Sequence, residues 1–245
     1  MVRLDDLTVA FRRHPALHHI SGQFARGSLT AVTGPNGAGT STLLKSILGL
    51  LPPASGGIRL TPDLQRIAYL PQQSELERGF PILVRDCILL GYWQQAGQFG
   101  ALSPAMLARA ESALSAVGLD GFARRAIGSL SAGQFQRMLF ARLLLQDADL
   151  ILLDEPFNAI DSKTTAELLR LVAAWHQEGR TVIAVVHDHA QIQRHFPQTL
   201  LLARDVIAWG DTATVMTAEH LRQAKAMAEA WDEQAPLCAT AVDAA

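Results

Sequence analysis

Gly34-Pro35-Asn36-Gly37-Ala38-Gly39-Thr40-Ser41-Thr42 decides how the rest of this 245-residue chain is read. It follows the apolar run Leu29-Thr30-Ala31-Val32 and precedes Leu43-Leu44-Lys45-Ser46-Ile47-Leu48, so it joins a strand to a helix. Glycines at 34, 37 and 39 permit positive φ and close backbone approach. Successive N–H groups at a helix N-terminus, reinforced by the helix dipole, then wrap an anion. The spacing is that of the phosphate-binding pattern G-x-x-x-x-G-K-[ST], with Thr40 where the pattern has lysine.

Outward from this loop, Val2 to Ala10 alternates and leads to Phe11, which predicts short strands feeding the loop. The helix from Ser41 is expected to end at Pro52-Pro53, and Ser55-Gly56-Gly57 to mark a turn before the strand Arg66–Leu70. From Ser74 to about Ser129 helical patterns replace strands, notably in Met106–Leu114. An α/β rhythm then resumes. A helix through Met138–Leu144 leads to the buried strand Asp149-Leu150-Ile151-Leu152-Leu153-Asp154-Glu155, and a helix over Thr164–His176 leads to the strand Thr181–Val186. Leu200–Leu202 and Val206–Gly210 predict a hairpin, followed by a helix from Ala218 and a mobile Ala-rich tail.

Composition narrows the function. With 49% hydrophobic and 18% charged residues the chain reads as a soluble α/β protein, and its formal charge of −2 argues against broad nucleic-acid binding. Cys87 and Cys238 match no metal-ligand spacing and read as free thiols in a reducing compartment. Met1-Val2-Arg3-Leu4-Asp5-Asp6 lacks a secretory apolar stretch, and apolar runs stop short of the roughly 20 residues that span a bilayer. Work at a membrane therefore calls for a partner. His14, His18 and His19 lie beside Pro15 with no second cluster, and read as surface histidines rather than as a metal site.

Two further stretches carry chemistry. Asp154 and Glu155 end a strand at the edge where ligands gather in open α/β sheets. Strand alternation would send the two carboxylates to different tasks, the first holding Mg²⁺ beside the Ser41 hydroxyl, the second orienting or deprotonating water. Alone, the pair merely ends a strand before Pro156; with the glycine loop upstream it gains a role. Leu130-Ser131-Ala132-Gly133-Gln134 opens a helix with a capping box, Ser131-x-x-Gln134. Capping explains serine and glutamine but leaves Gly133 unexplained in a first turn, where glycine costs up to about 1 kcal/mol relative to alanine. A second anion site would explain it, and two such sites for one nucleotide imply two chains sharing it.

Gly34–Thr42, Gln72, Leu130–Gln134, Leu153-Asp154-Glu155-Pro156, Asn158-Ala159-Ile160-Asp161 and His187 together resemble, in order and spacing, the nucleotide-binding subunit of ABC transporters. The resemblance covers nearly the whole chain. It implies a P-loop NTPase fold of the ABC-ATPase type. That means a mostly parallel sheet core with an N-terminal antiparallel β part over 1–72 and 141–232, a helical subdomain with the signature over 73–140, and a tail over 233–245. It implies ATP and Mg²⁺ as ligands. Phe11 would stack on adenine, the loop residues Gly34, Pro35, Asn36, Gly37, Ala38, Gly39, Thr40, Ser41 and Thr42 would hold the phosphates, and Gln72 would reach toward Mg²⁺ and the γ-phosphate. Asp154 and Ser41 would complete the Mg²⁺ site. Ser131, Ala132, Gly133 and Gln134 would close on nucleotide held by the other protomer. Glu155 would be the catalytic base, Asp161 would lie at the dimer interface, and His187 would touch the γ-phosphate. Ala132 and Phe11 stand where the family commonly has glycine and tyrosine.

Within the family, Phe80-Pro81-Ile82-Leu83-Val84-Arg85-Asp86 and Asp154–Ala159 resemble importers of zinc, manganese and related metal ions. That implies an ATP-dependent homodimer, peripheral on the cytoplasmic face of the cell membrane. It would act on integral-membrane permease subunits through about Gln73–Gly91, and only indirectly with a solute-binding protein. Thr40 offers a hydroxyl and no charge, so nucleotide affinity should fall about tenfold or more and catalysis further. Lys45 lies more than a turn along the helix, away from the phosphates. Three classes stay open: an energy-coupling ATPase, a non-catalytic nucleotide-binding module, and a soluble ABC protein of DNA repair or translation. The last typically has tandem cassettes, long coiled coils or basic surfaces, which this sequence lacks.

Overall fold

The structure is a computed structural model that describes residues 1–11, 14–62, 64, 66–72, 77–97 and 100–229. In chain order the elements are β1 (Val2–Phe11), β2 (His14–Phe24), β3 (Leu29–Thr33), α1 (Thr40–Ile47), β4 (Ser55–Leu60) and β5 (Ile67–Leu70). Then come α2 (Val84–Leu89), α3 (Trp93–Ala96), α4 (Pro104–Ala116), α5 (Ala132–Gln146), β6 (Leu150–Asp154), α6 (Ser162–Gln177) and β7 (Thr181–Val185). The chain closes with α7 (His189–His195), β8 (Gln198–Ala203), β9 (Asp205–Asp211), α8 (Thr212–Val215) and α9 (Ala218–Glu229). The chain divides into two compact units, Met1–Leu64 with Thr181–Ala245, and Gln65–Arg180.

In the first unit β3 lies between β7 and β8 and is parallel to both, while β9 runs antiparallel to β8. Every residue of β3 and β7 is buried, as their unbroken apolar and threonine runs require of strands covered on both faces. β1 pairs antiparallel with β2 on one side and β4 on the other. α9 packs Leu221 and Ala224 against Leu201, Ala203 and Val215. The hairpin expected at Leu200–Gly210 is present as β8–β9.

In the second unit β5 and β6 are parallel, with Ile67 opposite Leu150 and Leu70 opposite Leu153. β6 is buried throughout. α5 buries Phe135, Met138, Leu139 and Leu143 at helical spacing, and Phe140 stacks on Trp175 of α6 with ring centroids 5.7 Å apart. α4 is capped by Ser103, whose side chain accepts from the Met106 N–H. Among the described residues no helix is long and apolar enough to cross a membrane.

Two expectations are corrected. α1 stops at Ile47 rather than at the prolines, because Gly49 takes φ +80° and the last carbonyls are satisfied by Leu50 N–H to Lys45 and Gly49 N–H to Ser46. Ser55-Gly56-Gly57 is not a turn but the start of β4. Gly56, at φ +72°, sits at a bulge where a Cβ would stand 2.1 Å from the Asp6 carbonyl oxygen. The Ala-rich tail, Cys238 and the first residues of the 73–91 permease-contact stretch lie outside the described residues.

Candidate functional site

β3 delivers the chain into the glycine loop, and α1 begins at Thr40 immediately after it. The three glycines have separate reasons. A Cβ at Gly34 would stand 2.2 Å from the Leu202 carbonyl oxygen and 2.7 Å from Ala38 Cβ, and one at Gly39 would stand 2.3 Å from the Ala16 carbonyl oxygen. Gly37 meets nothing but takes φ +78°, a conformation that side-chain-bearing residues rarely adopt. The loop tightens through Ala38 N–H to the Pro35 carbonyl at 3.0 Å, and α1 opens with Leu43 N–H to the Gly39 carbonyl at 2.9 Å. No acidic residue lies in the first turn of α1, so its positive end is uncompensated by the helix itself. Thr40 is the first residue of that turn and is buried; Ser41 and Thr42 follow, half-buried. In the same unit Phe11 ends β1 with 49% of its surface exposed, the state of a ring available for stacking. His187 follows β7, half-buried.

The second unit assembles the carboxylates. Asp154 ends β6 buried, with the Tyr69 hydroxyl 3.4 Å from Oδ2. Glu155 is not a strand residue: β6 ends at Asp154 and Glu155 turns to φ +50°, so strand alternation does not set the direction of its side chain. Its Oε2 accepts from Gln72 Nε2 at 2.8 Å and from the Asn158 amide. Gln72 and Glu155, separated by 83 residues, are thus brought together. Two supports escaped sequence reasoning, Asn158 on Glu155 and the buried Gln136, whose Nε2 donates to the Pro156 carbonyl at 2.7 Å. The signal for Asn158 was its place three residues after Glu155, within reach of a short polar side chain.

α5 opens on the expected capping box: Gln134 N–H to Ser131 Oγ at 3.2 Å, and Ser131 N–H to Gln134 Oε1 at 3.0 Å. Asp161 caps α6, accepting the Thr164 N–H at 2.9 Å and its hydroxyl at 2.8 Å. The Thr164 N–H and then its hydroxyl hold the Asp161 carboxyl below the usual carboxylate range. A Cβ at Gly133 would lie 3.4 Å from Thr164 Oγ1 and 3.5 Å from Asp161 Oδ2, ordinary contact, so the fold of this unit does not demand a glycine there. At this N-terminus Ser131 is exposed and Ala132, Gly133 and Gln134 are half-buried. Each unit offers an oxygen donor of the hard kind that Mg²⁺ takes, a half-buried hydroxyl at Ser41 in the first and a buried carboxylate at Asp154 in the second.

The comparisons with known proteins agree with this inventory. Residues 17–158 match the family model described as ABC transporter. The zinc transport system ATP-binding protein TroB of Treponema pallidum is 40% identical over 228 residues, covering 91% of this chain and 86% of that protein. The manganese transport system ATP-binding protein MntB of Bacillus subtilis is 40% identical over 227 residues, 91% of each. Among solved structures, a metal-chelate type ABC transporter in an inward-facing conformation superposes with a TM-score of 0.82 at 29% identity, over 92% of this chain and 88% of that one. With the phosphate loop, the paired carboxylates and the capped signature helix each in place, this chain belongs to the ATP-binding subunits of the ABC transporter family.

Proposed function

We propose that the chain is the energy-coupling subunit of an ABC importer for zinc or a related metal ion. In this reading two copies sandwich ATP and drive membrane permease subunits from the cytoplasmic face. The observation that carries the cargo class is the near full-length likeness to relatives named for zinc and manganese transport. The sandwich is supported by Gly133, which the chain's own packing does not require.

Each motif residue then has a task. Phe11 stacks on the adenine, and the N–H groups of Gly34–Thr42 hold the β- and γ-phosphates. Ser41 and Asp154, with Gln72, would hold Mg²⁺, which when bound neutralises phosphate charge. Glu155, which accepts from Gln72 and Asn158, orients the attacking water and takes its proton, and His187 donates toward the γ-phosphate. Ser131, Ala132, Gly133 and Gln134 close on the nucleotide of the other copy, beside Asp161. Thr40 supplies no cation where charge develops, so this chain is a weak ATPase.

Thr40 also favours a second reading, a nucleotide-binding module that dimerises without turnover. Thr40→Lys separates the two. A coupling ATPase gains about tenfold in ATP affinity and measurable steady-state hydrolysis. A folded, dimerising Thr40→Lys chain with no hydrolysis would refute the coupling reading and leave the non-catalytic one.

A further inference from the structure

The outer side of the phosphate loop is held by a turn that no motif marks. The β8–β9 hairpin closes on Arg204, which takes φ +67°. Its N–H donates to the Ala38 carbonyl at 3.0 Å, and its own carbonyl accepts from the His18 N–H at 2.9 Å. Two side chains tie the same turn to β2. Arg204 Nη1 donates to the Pro15 carbonyl at 3.2 Å, and Asp205 Oδ1 lies 3.0 Å from His18 Nδ1. The strand so tied is the one on which Gly39 packs, at Ala16 and Leu17, and Leu202, on which Gly34 packs, lies just before the turn. Met227 and Ala228 of α9 border the same place, lining a cavity of about 20 Å³ with Asn36, Gly37 and Ala38.

In a planar trans peptide the C=O and the following N–H point opposite ways. Anchoring the Ala38 carbonyl outward on Arg204 therefore turns the Gly39 N–H to the opposite side, away from the turn. Left-handed backbone is unfavourable for a residue with a side chain, so the turn keeps this shape only while something holds it. The Arg204 guanidinium and the Asp205–His18 pair add side-chain hold to the main-chain bond from the His18 N–H to the Arg204 carbonyl.

We infer that Arg204 and Asp205 are positioning residues for the phosphate-binding loop, locking the peptide that joins Ala38 to Gly39 so that its N–H serves the nucleotide phosphates. This rests on the reading of Gly34–Thr42 as a nucleotide site. Without the two anchors the turn relaxes toward negative φ and swings its N–H off Ala38, which loosens grip on phosphates and leaves base stacking on Phe11 alone.

The test uses the full chain and compares Kd for Mg·ATP with Kd for AMP, which lacks the outer phosphates. Arg204→Ala/Asp205→Ala removes both anchors and is expected to weaken ATP about tenfold while AMP changes less than about twofold. Arg204→Gly, which accepts φ +67° without an anchor, is expected to keep the ATP preference of the wild type. Asp205→Ala alone is expected to weaken ATP about threefold and carries the test if the double variant does not fold. Parallel loss of ATP and AMP, or unchanged ATP affinity, in the folded double variant or in Asp205→Ala overturns the inference. A wild-type chain that shows no preference for ATP overturns the nucleotide reading, and this inference with it.

Discussion

Gly133→Ala is expected to stabilise the folded chain while weakening its ATP-driven dimer. Gly133 is the second residue of α5, and alanine in a helix interior is worth about 0.8–1.0 kcal/mol over glycine, a gain reduced to about half in the first turn. Against this stands the new methyl group. It would meet Thr164 Oγ1 at 3.4 Å, Asp161 Oδ2 at 3.5 Å and Thr164 Cγ2 at 3.7 Å, distances that cost at most a few tenths. The net is about 0.3–0.5 kcal/mol of added stability, a melting temperature higher by about 1–2 °C for a chain of this length. In the proposed sandwich the α5 N-terminus faces the nucleotide of the other copy, and an added methyl there would crowd it. Hydrogen bonds to charged groups are worth about 1.5–3 kcal/mol, so loss at even one of two symmetric sites lowers the ATP-dependent dimerisation constant at least about tenfold. Thermal unfolding in the absence of nucleotide and sedimentation with Mg·ATP measure the two quantities separately. A Gly133→Ala chain destabilised by more than about 1 kcal/mol would refute the packing argument. One that dimerises with ATP like the parent would refute the assignment of Gly133 to a phosphate.

Other outcomes follow from single contacts. Gly34→Ala drives a methyl into main-chain and Cβ atoms at 2.2 and 2.7 Å that have no rotamer to escape by. It should cost about 1–3 kcal/mol, seen in denaturant unfolding, and weaken ATP binding with it. Asp161, held below the usual carboxylate range by Thr164, stabilises the fold while ionised. The stability difference between wild type and Asp161→Asn should therefore be constant above about pH 5 and shrink as pH falls through the depressed folded-state value. A difference that grows on acidification would contradict the cap. Burial pushes the Cys87 thiol up, outweighing the opposing charge of Arg142. In a Cys238→Ser background a thiol reagent at neutral pH should label Cys87 only after unfolding, as mass spectrometry would register.

Elements whose signal is local were legible in the residues. The apolar runs Leu150–Leu153 of β6 and Val182–Val185 of β7, the hairpin of β8 and β9, and the capping box of α5 rest on neighbours within a few positions, where side-chain period and hydrogen-bond reach decide the outcome. The glycine loop was readable for the same reason. Local rules failed where two signals competed. Pro52-Pro53 was read as the stop of α1, yet Gly49 ends it first because a left-handed residue satisfies the last carbonyls at once. Glycines 56 and 57 looked like a turn, and the bulge opposite Asp6 depends on which strand lies alongside.

By itself the sequence placed a glycine loop between a strand and a helix and paired carboxylates at the end of a buried strand, and it carried the likeness to ABC ATP-binding subunits. Those features are patterns of residue type at short spacing. Only tertiary structure decided why Gly34 and Gly39 admit no side chain, that Gln72 and Asn158 meet on Glu155, and that Arg204 and Asp205 brace the loop against β2. The atoms concerned sit as many as 189 positions apart, as Arg204 does from Pro15. Periodicity along a chain carries no information about which backbone oxygen will stand 2.2 Å from a missing Cβ.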